Sequence, residues 1–579
     1  MKRLRPGILS VRAINQYRRR DVLSYLGLRY YLQNLASRTD QWAEQVAVDL
    51  VLTRTVASYF HAYHFKETTD TGIIEHRAIF LPGANEALAE AALLKECANR
   101  GHAFGNPSCV FSYELNHGSS RSGVFRNYMD GIRARQQAVA KACDATQNGI
   151  VLYTDIKRFY PSIRSDLAMQ VWRRQSDIGN LPGRYRDLGE KLITEYSMAG
   201  NAGEHSILTG PMFSHLLGNL VLREIDDSAA KLPVNYFRYV DDIILVGSSD
   251  AVVQSLGILQ SRFGDLGLIL HNESSSKNIK VPTREWLRGR NDFQDHPQQT
   301  HWLNLIRDLK RFLLLNPRER ENLQEAFRNE GIRIPIRDYS NAVLERSFLE
   351  GIGHLIKKPW FRWRAQAVSI QSLLSQAKEL RKKYEGEFRT LTANAGMLSR
   401  FERKRRIPKL RYRAGRLIYL APDSLLESLC RLAHEFPELH FHAQVMDAVA
   451  RGNVDRLLPM GSNAAQAAAQ PLRAVGKRCT TTLLEFSSAA DQSLSVFLLN
   501  GVSVDRPKSA TEGSDLMRFA SSGSDIGLMK DSEPFIRELA CLHGITESPR
   551  HPEILEEVFD KDEDLAMDAI DQLQQSISL

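Results

Sequence analysis

The chain has 579 residues, and Lys plus Arg exceed Asp plus Glu by 76 to 68, a net charge of +8. That length predicts two to four domains, and the charge is a modest bias toward polyanionic partners. With 43% hydrophobic and 25% charged residues the composition is that of a soluble globular protein, and no stretch approaches the roughly eighteen apolar residues of a membrane span, which excludes a membrane-crossing role.

The start, Met-Lys-Arg-Leu-Arg-Pro-Gly, has a basic flank without an apolar stretch after it, so no secretory signal is expected and a cytoplasmic location is. Residues Val11 to Ser58 predict helix, with Leu23, Leu26, Leu28, Tyr31, Leu32 and Leu35 at three- to four-residue spacing. A further helix is predicted from Ala84 to Asn99, entered through Pro82-Gly83. Strand patterns follow at Cys109 to Tyr113, at Val151 to Tyr153 and in a hairpin around Asp241, an α+β arrangement. The six cysteines form no Cys-x-x-Cys pair, so free thiols are expected. The paired histidines His61/His64 and His440/His442 lack a supporting ligand cluster and read as satisfied or exposed side chains.

Beyond Trp302 long amphipathic segments dominate, at Trp302 to Leu315, Asn341 to Ile356, Trp363 to Tyr384 and Pro422 to His434. A boundary is expected near 285–300, dividing residues 1–290 from a helical domain over 300–579. A repeat-like arrangement is expected there, although no fixed sequence period is visible. Gly461 to Gln470 reads as loop or, from its alanines, as helix, and Lys508 to Asp525 as loop. The acidic end from Glu553 carries Leu555, Val558, Phe559, Leu565, Ile570 and Leu573 at near-helical spacing and predicts docked helices.

Two segments carry chemistry. Val-Leu-Tyr-Thr-Asp155 delivers a carboxylate at the end of an apolar run, and Phe-Arg-Tyr-Val-Asp241-Asp242-Ile-Ile-Leu places two more at a tight turn. Alternation along a strand puts Asp155 on the face of Tyr153, so a hairpin lying beside that strand would bring Asp155 and Asp241 together. A turn framed by apolar residues does not carry two carboxylates without a counter-charge. Hard divalent cations want such oxygens, and two of them stabilise the attacking and leaving oxygens of a phosphoryl transfer. The pattern therefore points to a two-metal nucleotidyl transferase using Mg²⁺, with Mn²⁺ as a substitute.

Tyr239-Val-Asp241-Asp242 resembles the Tyr-x-Asp-Asp box of the reverse transcriptases, and Tyr153-Thr-Asp155-Ile-Lys-Arg-Phe159-Tyr160 resembles their strand bearing the first aspartate. Between them Thr209-Gly210-Pro211-Met-Phe-Ser214-His-Leu-Leu-Gly-Asn219 is similar to the pocket-lining segment, and Leu266-Gly-Leu-Ile-Leu-His-Asn272 with Lys277 to the motif that follows. The likeness covers about 75–285. It implies a fingers-palm fold with an RRM-like antiparallel sheet. It also implies Asp155, Asp241, Asp242 and the Ile156 carbonyl around the metals, Lys277 as proton donor to pyrophosphate, and Tyr160 as a steric gate favouring dNTPs. Gly210 and Ser214 would line the nucleotide pocket, Asn219 and Tyr239 would meet nucleic acid, and Arg77 or Arg126 would supply a cation for the triphosphate. Thr209 stands where many relatives have Gln, which puts ordinary templated copying in doubt.

In the helical half, Lys357, Lys358, Trp360 and Arg362 interleave cations with aromatic faces, a composition suited to single strands, and Arg405 and Arg406 lie in a second cationic stripe from Arg403 to Arg416. The whole is similar to the bacterial abortive-infection and defence-associated reverse transcriptases, in which a helical, HEAT-like region replaces or extends the thumb. That resemblance implies RNA or single-stranded DNA partners, a noncoding RNA among them, a homo-oligomer and a role in anti-phage immunity. The alternatives are a conventional RNA-templated enzyme of retron or group II intron type, and a nucleic-acid-binding protein built on an inactive palm.

Overall fold

A computed structural model describes residues 6–560 except 19, 70, 119–122, 201–204, 273, 274, 276, 289–296, 340–367, 510–512 and 546–549, and leaves the side chains of 297–300, 395, 400 and 404 undescribed. Lys357, Lys358, Trp360 and Arg362 therefore lie outside the described residues, as do the predicted Asn341 to Ile356 helix and the start of Trp363 to Tyr384.

The predicted run Val11 to Ser58 is broken into α1 (Ile8–Arg18), α2 (Val22–Tyr31) and a further helical stretch over Trp42–Ala47 and Val48–Thr53. Asp21 makes the first break by capping α2, its Oδ1 accepting from the Leu23 amide at 2.9 Å. A two-stranded antiparallel ribbon not foreseen in the sequence follows, β1 (Tyr59–Thr68) and β2 (Ile74–Pro82), and then α3 (Ala84–Ala98) in its predicted place. Cys109 to Tyr113 forms no strand, because only Val110 makes a bridge, to Arg238.

After α4 (Tyr128–Ala145) comes the central sheet. Its strands β3 (Ile150–Asp155), β4 (Asn235–Tyr239), β5 (Asp242–Gly247) and β6 (Ile279–Pro282) are ordered β4-β5-β3-β6 and antiparallel throughout. Alternation gives the sheet two apolar faces. Val151, Tyr153, Ile244, Val246, Ile279 and Val281 pack with Val139 and Cys143 of α4 and with Trp286 and Phe401. Leu152, Ile243 and Leu245 join the main core beneath α5 (Met212–Ala229) and α6 (Ser249–Asp265). Both layers covered is why the two inner strands, β3 and β5, read as nearly continuous apolar runs.

Among its described residues the second half is mainly helical, with two-residue strands at Cys479–Thr480 and Val504–Asp505. Its main members are α7 (Pro297–Leu315), α8 (Ile370–Thr392), α9 (Arg400–Leu420), α10 (Ser462–Val475), α11 (Ser488–Leu499) and α12 (Pro534–Ile545). The 461–470 segment is helix, its alanines all buried, and a helix at Asp515–Ser522 interrupts the loop expected over 508–525. Leu555, Val558 and Phe559 are docked in the core, while Leu565, Ile570 and Leu573 lie outside the described residues.

This half closes over the edge of the ribbon. The Gln492 amide spans β1, accepting from the Tyr63 amide at 2.9 Å and donating to the His61 carbonyl at 2.8 Å, and Asn463 accepts from Phe65 at 2.9 Å. An open strand edge would otherwise expose these groups. Gly461 (φ 97°) permits the approach, because a Cβ there would overlap the Tyr63 carbonyl. His64 bonds Asp21 at 2.9 Å, and Ser462 donates to the same carboxylate at 2.8 Å. All six cysteines are free, and no helix among the described residues is long and apolar enough to cross a membrane.

Candidate functional site

The strand register decides where the acids meet. Asp155, the last residue of β3, stands directly opposite Asp242, the first of β5, and Tyr239 opposes the same residue from β4. Opposed residues of an antiparallel pair share a face, with Cβ atoms about 5 Å apart. Asp241 occupies the turn between β4 and β5.

That turn is held under strain. Val240 has φ 56°, a left-handed conformation that β-branched residues avoid, at a cost on the order of 1–3 kcal/mol. Three bonds impose it: the Val240 amide donates to Ser112 Oγ at 2.8 Å, Arg238 donates to the Val240 carbonyl at 2.8 Å, and the Ile156 amide donates to the Asp241 carbonyl at 3.1 Å. Arg238 is fully buried and forked onto Asp226 at 2.8 and 2.6 Å, with a further bond to Asn219 Oδ1 at 3.1 Å. Asn219 spends its amide on Asn106 and the Ser112 carbonyl, each at 3.1 Å, so it braces the turn from inside.

The three carboxylates differ in environment. Burial, and then the charges of Asp242 and Asp155, push Asp241 up to about 7, so near neutral pH its carboxyl is only partly ionised, and a cation would displace the remaining proton. Asp155 is paired through Oδ2 with Lys277 at 3.0 Å. His271 Nε2 lies 2.9 Å from Asp155 Oδ1, yet off the hydrogen-bonding direction, so that buried oxygen has no hydrogen bond. Burial lowers the His271 pKa against the pull of Asp155, so the ring is neutral and supplies no compensating charge. Asp242 accepts from the Tyr153 hydroxyl and lies 3.7 Å from the buried Arg135 guanidinium, which in turn sits 5.2 Å over the Tyr239 ring. Among the described residues no group of three or more His, Cys, Asp or Glu is arranged to hold a metal ion.

Cations ring the acids. Arg77 on β2 is electrostatically coupled to Asp241, Glu67 and Asp155, although burial outweighs them and lowers its pKa. Lys277, Lys157 and Lys66 all act on His271. Arg126, the other candidate for a triphosphate cation, is more than half exposed and paired with Glu114 at 3.0 Å, so the structure draws Arg77 and not Arg126 to the carboxylates.

Tyr160 is half-buried beside Asp241. Gly210 (φ 136°) lies against β2, where a Cβ would overlap the Phe80 carbonyl. Ser214 is fully buried with an unbonded hydroxyl. Tyr239 donates to the Tyr128 carbonyl at 3.2 Å.

Much of the cationic stripe on α9 turns inward. Arg403 forks onto Glu438 at 2.9 and 3.0 Å, and Arg406 caps the end of α8 through the Leu391 and Ala393 carbonyls at 3.0 and 3.2 Å. Arg405 lies 5.8 Å over Phe401, and Arg413 and Arg416 are buried against Tyr412. Arg411 reaches toward the site, its pKa lowered to about 10 by burial, raised by Glu438 and lowered again by Arg77.

Sequence reasoning missed Arg135, Arg238, Arg20, His215 and His271. His215, His271 and Arg238 all lay inside motif-like segments, Thr209 to Asn219, Leu266 to Asn272 and Phe237 to Leu245, whereas Arg135 and Arg20 carried no local signal. No family model matches the chain, and no curated protein matches it either.

Proposed function

We propose that the chain is a reverse-transcriptase-type nucleotidyl transferase that adds dNTPs to a primer 3′-end or to a protein hydroxyl. In this reading the central sheet is the palm, the β1–β2 ribbon the fingers, and the helical half, HEAT-like in kind, stands in place of a thumb. The observation that carries it is the β3/β5 register, which opposes Asp155 to Asp242 and sets Asp241, its carboxyl raised to about 7, beside them.

The donor set suits Mg²⁺ or Mn²⁺, because it consists of carboxylates, one oxygen of Asp155 lacks a hydrogen bond, and the charges of its neighbours keep Asp241 partly protonated until a cation answers them. Asp155, Asp241, Asp242 and the Ile156 carbonyl would hold two such ions, which when bound neutralise charge on the attacking and leaving oxygens. Arg77 and Lys66 attract the polyphosphate from the ribbon. Lys277, half exposed and tethered to Asp155, is placed to turn from that carboxylate to the leaving pyrophosphate and protonate it. RNA or single-stranded DNA is the partner, with a noncoding RNA as template or scaffold, and anti-phage defence by a homo-oligomer is the biological role this reading assigns.

The test is incorporation of each labelled dNTP by the purified full chain with Mg²⁺ or Mn²⁺, followed by sequencing of product and copurifying nucleic acid. Asp155→Asn and Asp241→Asn should each reduce incorporation at least ~10²-fold. A wild-type chain that incorporates nothing under these conditions refutes the proposal.

A second reading, a nucleic-acid-binding protein on an inactive palm, is favoured by the engagement of Asp242 with Tyr153 and Arg135. It requires RNA binding that survives both substitutions.

A further inference from the structure

His215, on α5, is buried, and its ring is engaged at both nitrogens and across one face. Tyr113 stacks on it at 3.9 Å and 5°, Tyr160 Oη lies 2.6 Å from Nδ1, and Arg20 Nη2 lies 2.8 Å from Nε2. A guanidinium only donates, so Nε2 accepts and the ring proton sits on Nδ1, donating to Tyr160. The Tyr113 ring lies against the same imidazole and its charge acts on the Tyr160 hydroxyl, and Arg20 also donates to the Gly210 carbonyl. The absence of a side chain at Gly218 lets α5 pack closely on the Phe159 and Tyr160 rings, which a Cβ there would touch at 3.0–3.4 Å.

We propose that His215, anchored by Arg20, is a positioning residue that fixes Tyr160 beside the carboxylates and thereby sets discrimination against nucleotides bearing a ribose 2′-hydroxyl. This rests on the polymerase reading. A nucleotide whose phosphates lie over the carboxylates brings its sugar to the neighbouring ring. With its hydroxyl held by His215 Nδ1, the Tyr160 ring keeps its place against the sugar, and turning aside would orphan a polar atom on the buried His215 ring. Burial and the charge of Arg20 hold His215 neutral, so discrimination should be flat between pH 6 and 8.

The experiment compares Mg²⁺-dependent binding and incorporation of dATP and ATP by the full chain as wild type, His215→Leu and His215→Gln. The Leu variant should lower the dATP preference roughly tenfold, the worth of one or two hydrogen bonds. The Gln variant, whose amide can bond both neighbours, should restore part of it. An unchanged preference in a folded Leu variant overturns the inference and leaves the polymerase reading standing, whereas a wild type that binds neither nucleotide overturns both. Arg20→Lys, which removes the forked anchor alone, should shift the preference in the same direction and serves if the Leu variant does not fold; an unchanged preference there also overturns the inference.

Discussion

Asp241→Asn isolates the electrostatic tension of the site. The carboxyl moves from an ordinary 3.8 to about 7 through burial and its two acidic neighbours. At about 1.4 kcal/mol for each tenfold change in proton affinity, this bounds the cost of ionising it in the folded chain at ~4 kcal/mol. Partial access of water to the residue reduces that to roughly 2 kcal/mol. The folded state binds the proton more tightly than the unfolded state, so between pH 4 and pH 7 stability falls as pH rises and then levels off. Asparagine cannot ionise. Thermal unfolding from pH 5 to 8 in EDTA should therefore show a wild-type melting temperature that declines with pH, and a variant that declines less and is the more stable by a few degrees at pH 8. Added Mg²⁺ should raise the wild type at pH 8, where displacing the proton costs least, and should raise the variant much less. Equal pH slopes in the two proteins, or equal stabilisation of both by Mg²⁺, would refute the reasoning that these carboxylates form one cation-seeking cluster.

Arg238→Met leaves Asp226 buried without its fork and frees the strained Val240 turn; a loss of about 3–5 kcal/mol is expected by denaturant unfolding. Gly461→Ala forces a Cβ into the Tyr63 carbonyl at a positive φ and should cost more than ~2 kcal/mol by the same measurement. Gln492→Leu removes both side-chain bonds to the β1 edge and should cost about 1–3 kcal/mol per orphaned group, with faster hydrogen exchange at the Tyr63 amide as a local readout.

Local pattern was enough to find β3 and the β4–β5 hairpin, because each is a short apolar run with an acid at its end and both sheet faces are covered. It was also enough for α3, whose proline-glycine entry and alanine-rich body are local properties. The β1–β2 ribbon escaped notice because its edge is satisfied by Gln492 and Asn463, more than 390 residues away, so no nearby residue announces it. The Cys109 to Tyr113 run has strand-like composition, yet its backbone meets β4 only around Arg238, through the Cys109 carbonyl and the Phe111 amide, while the Ser112 hydroxyl accepts from the turn at Val240.

What the sequence by itself determined was the set of acids, their spacing and the strands that present them, since alternation and turn chemistry act over a few residues. Only the tertiary structure decided which cations answer those acids, drawing in Arg77, Arg135 and Lys277, leaving Arg126 on Glu114, and turning most of the α9 arginines inward. An arginine that caps a helix end, stacks on a buried ring or faces a phosphate looks the same in sequence. Its role follows from distance and solvent exclusion, which depend on residues brought together from across the whole chain.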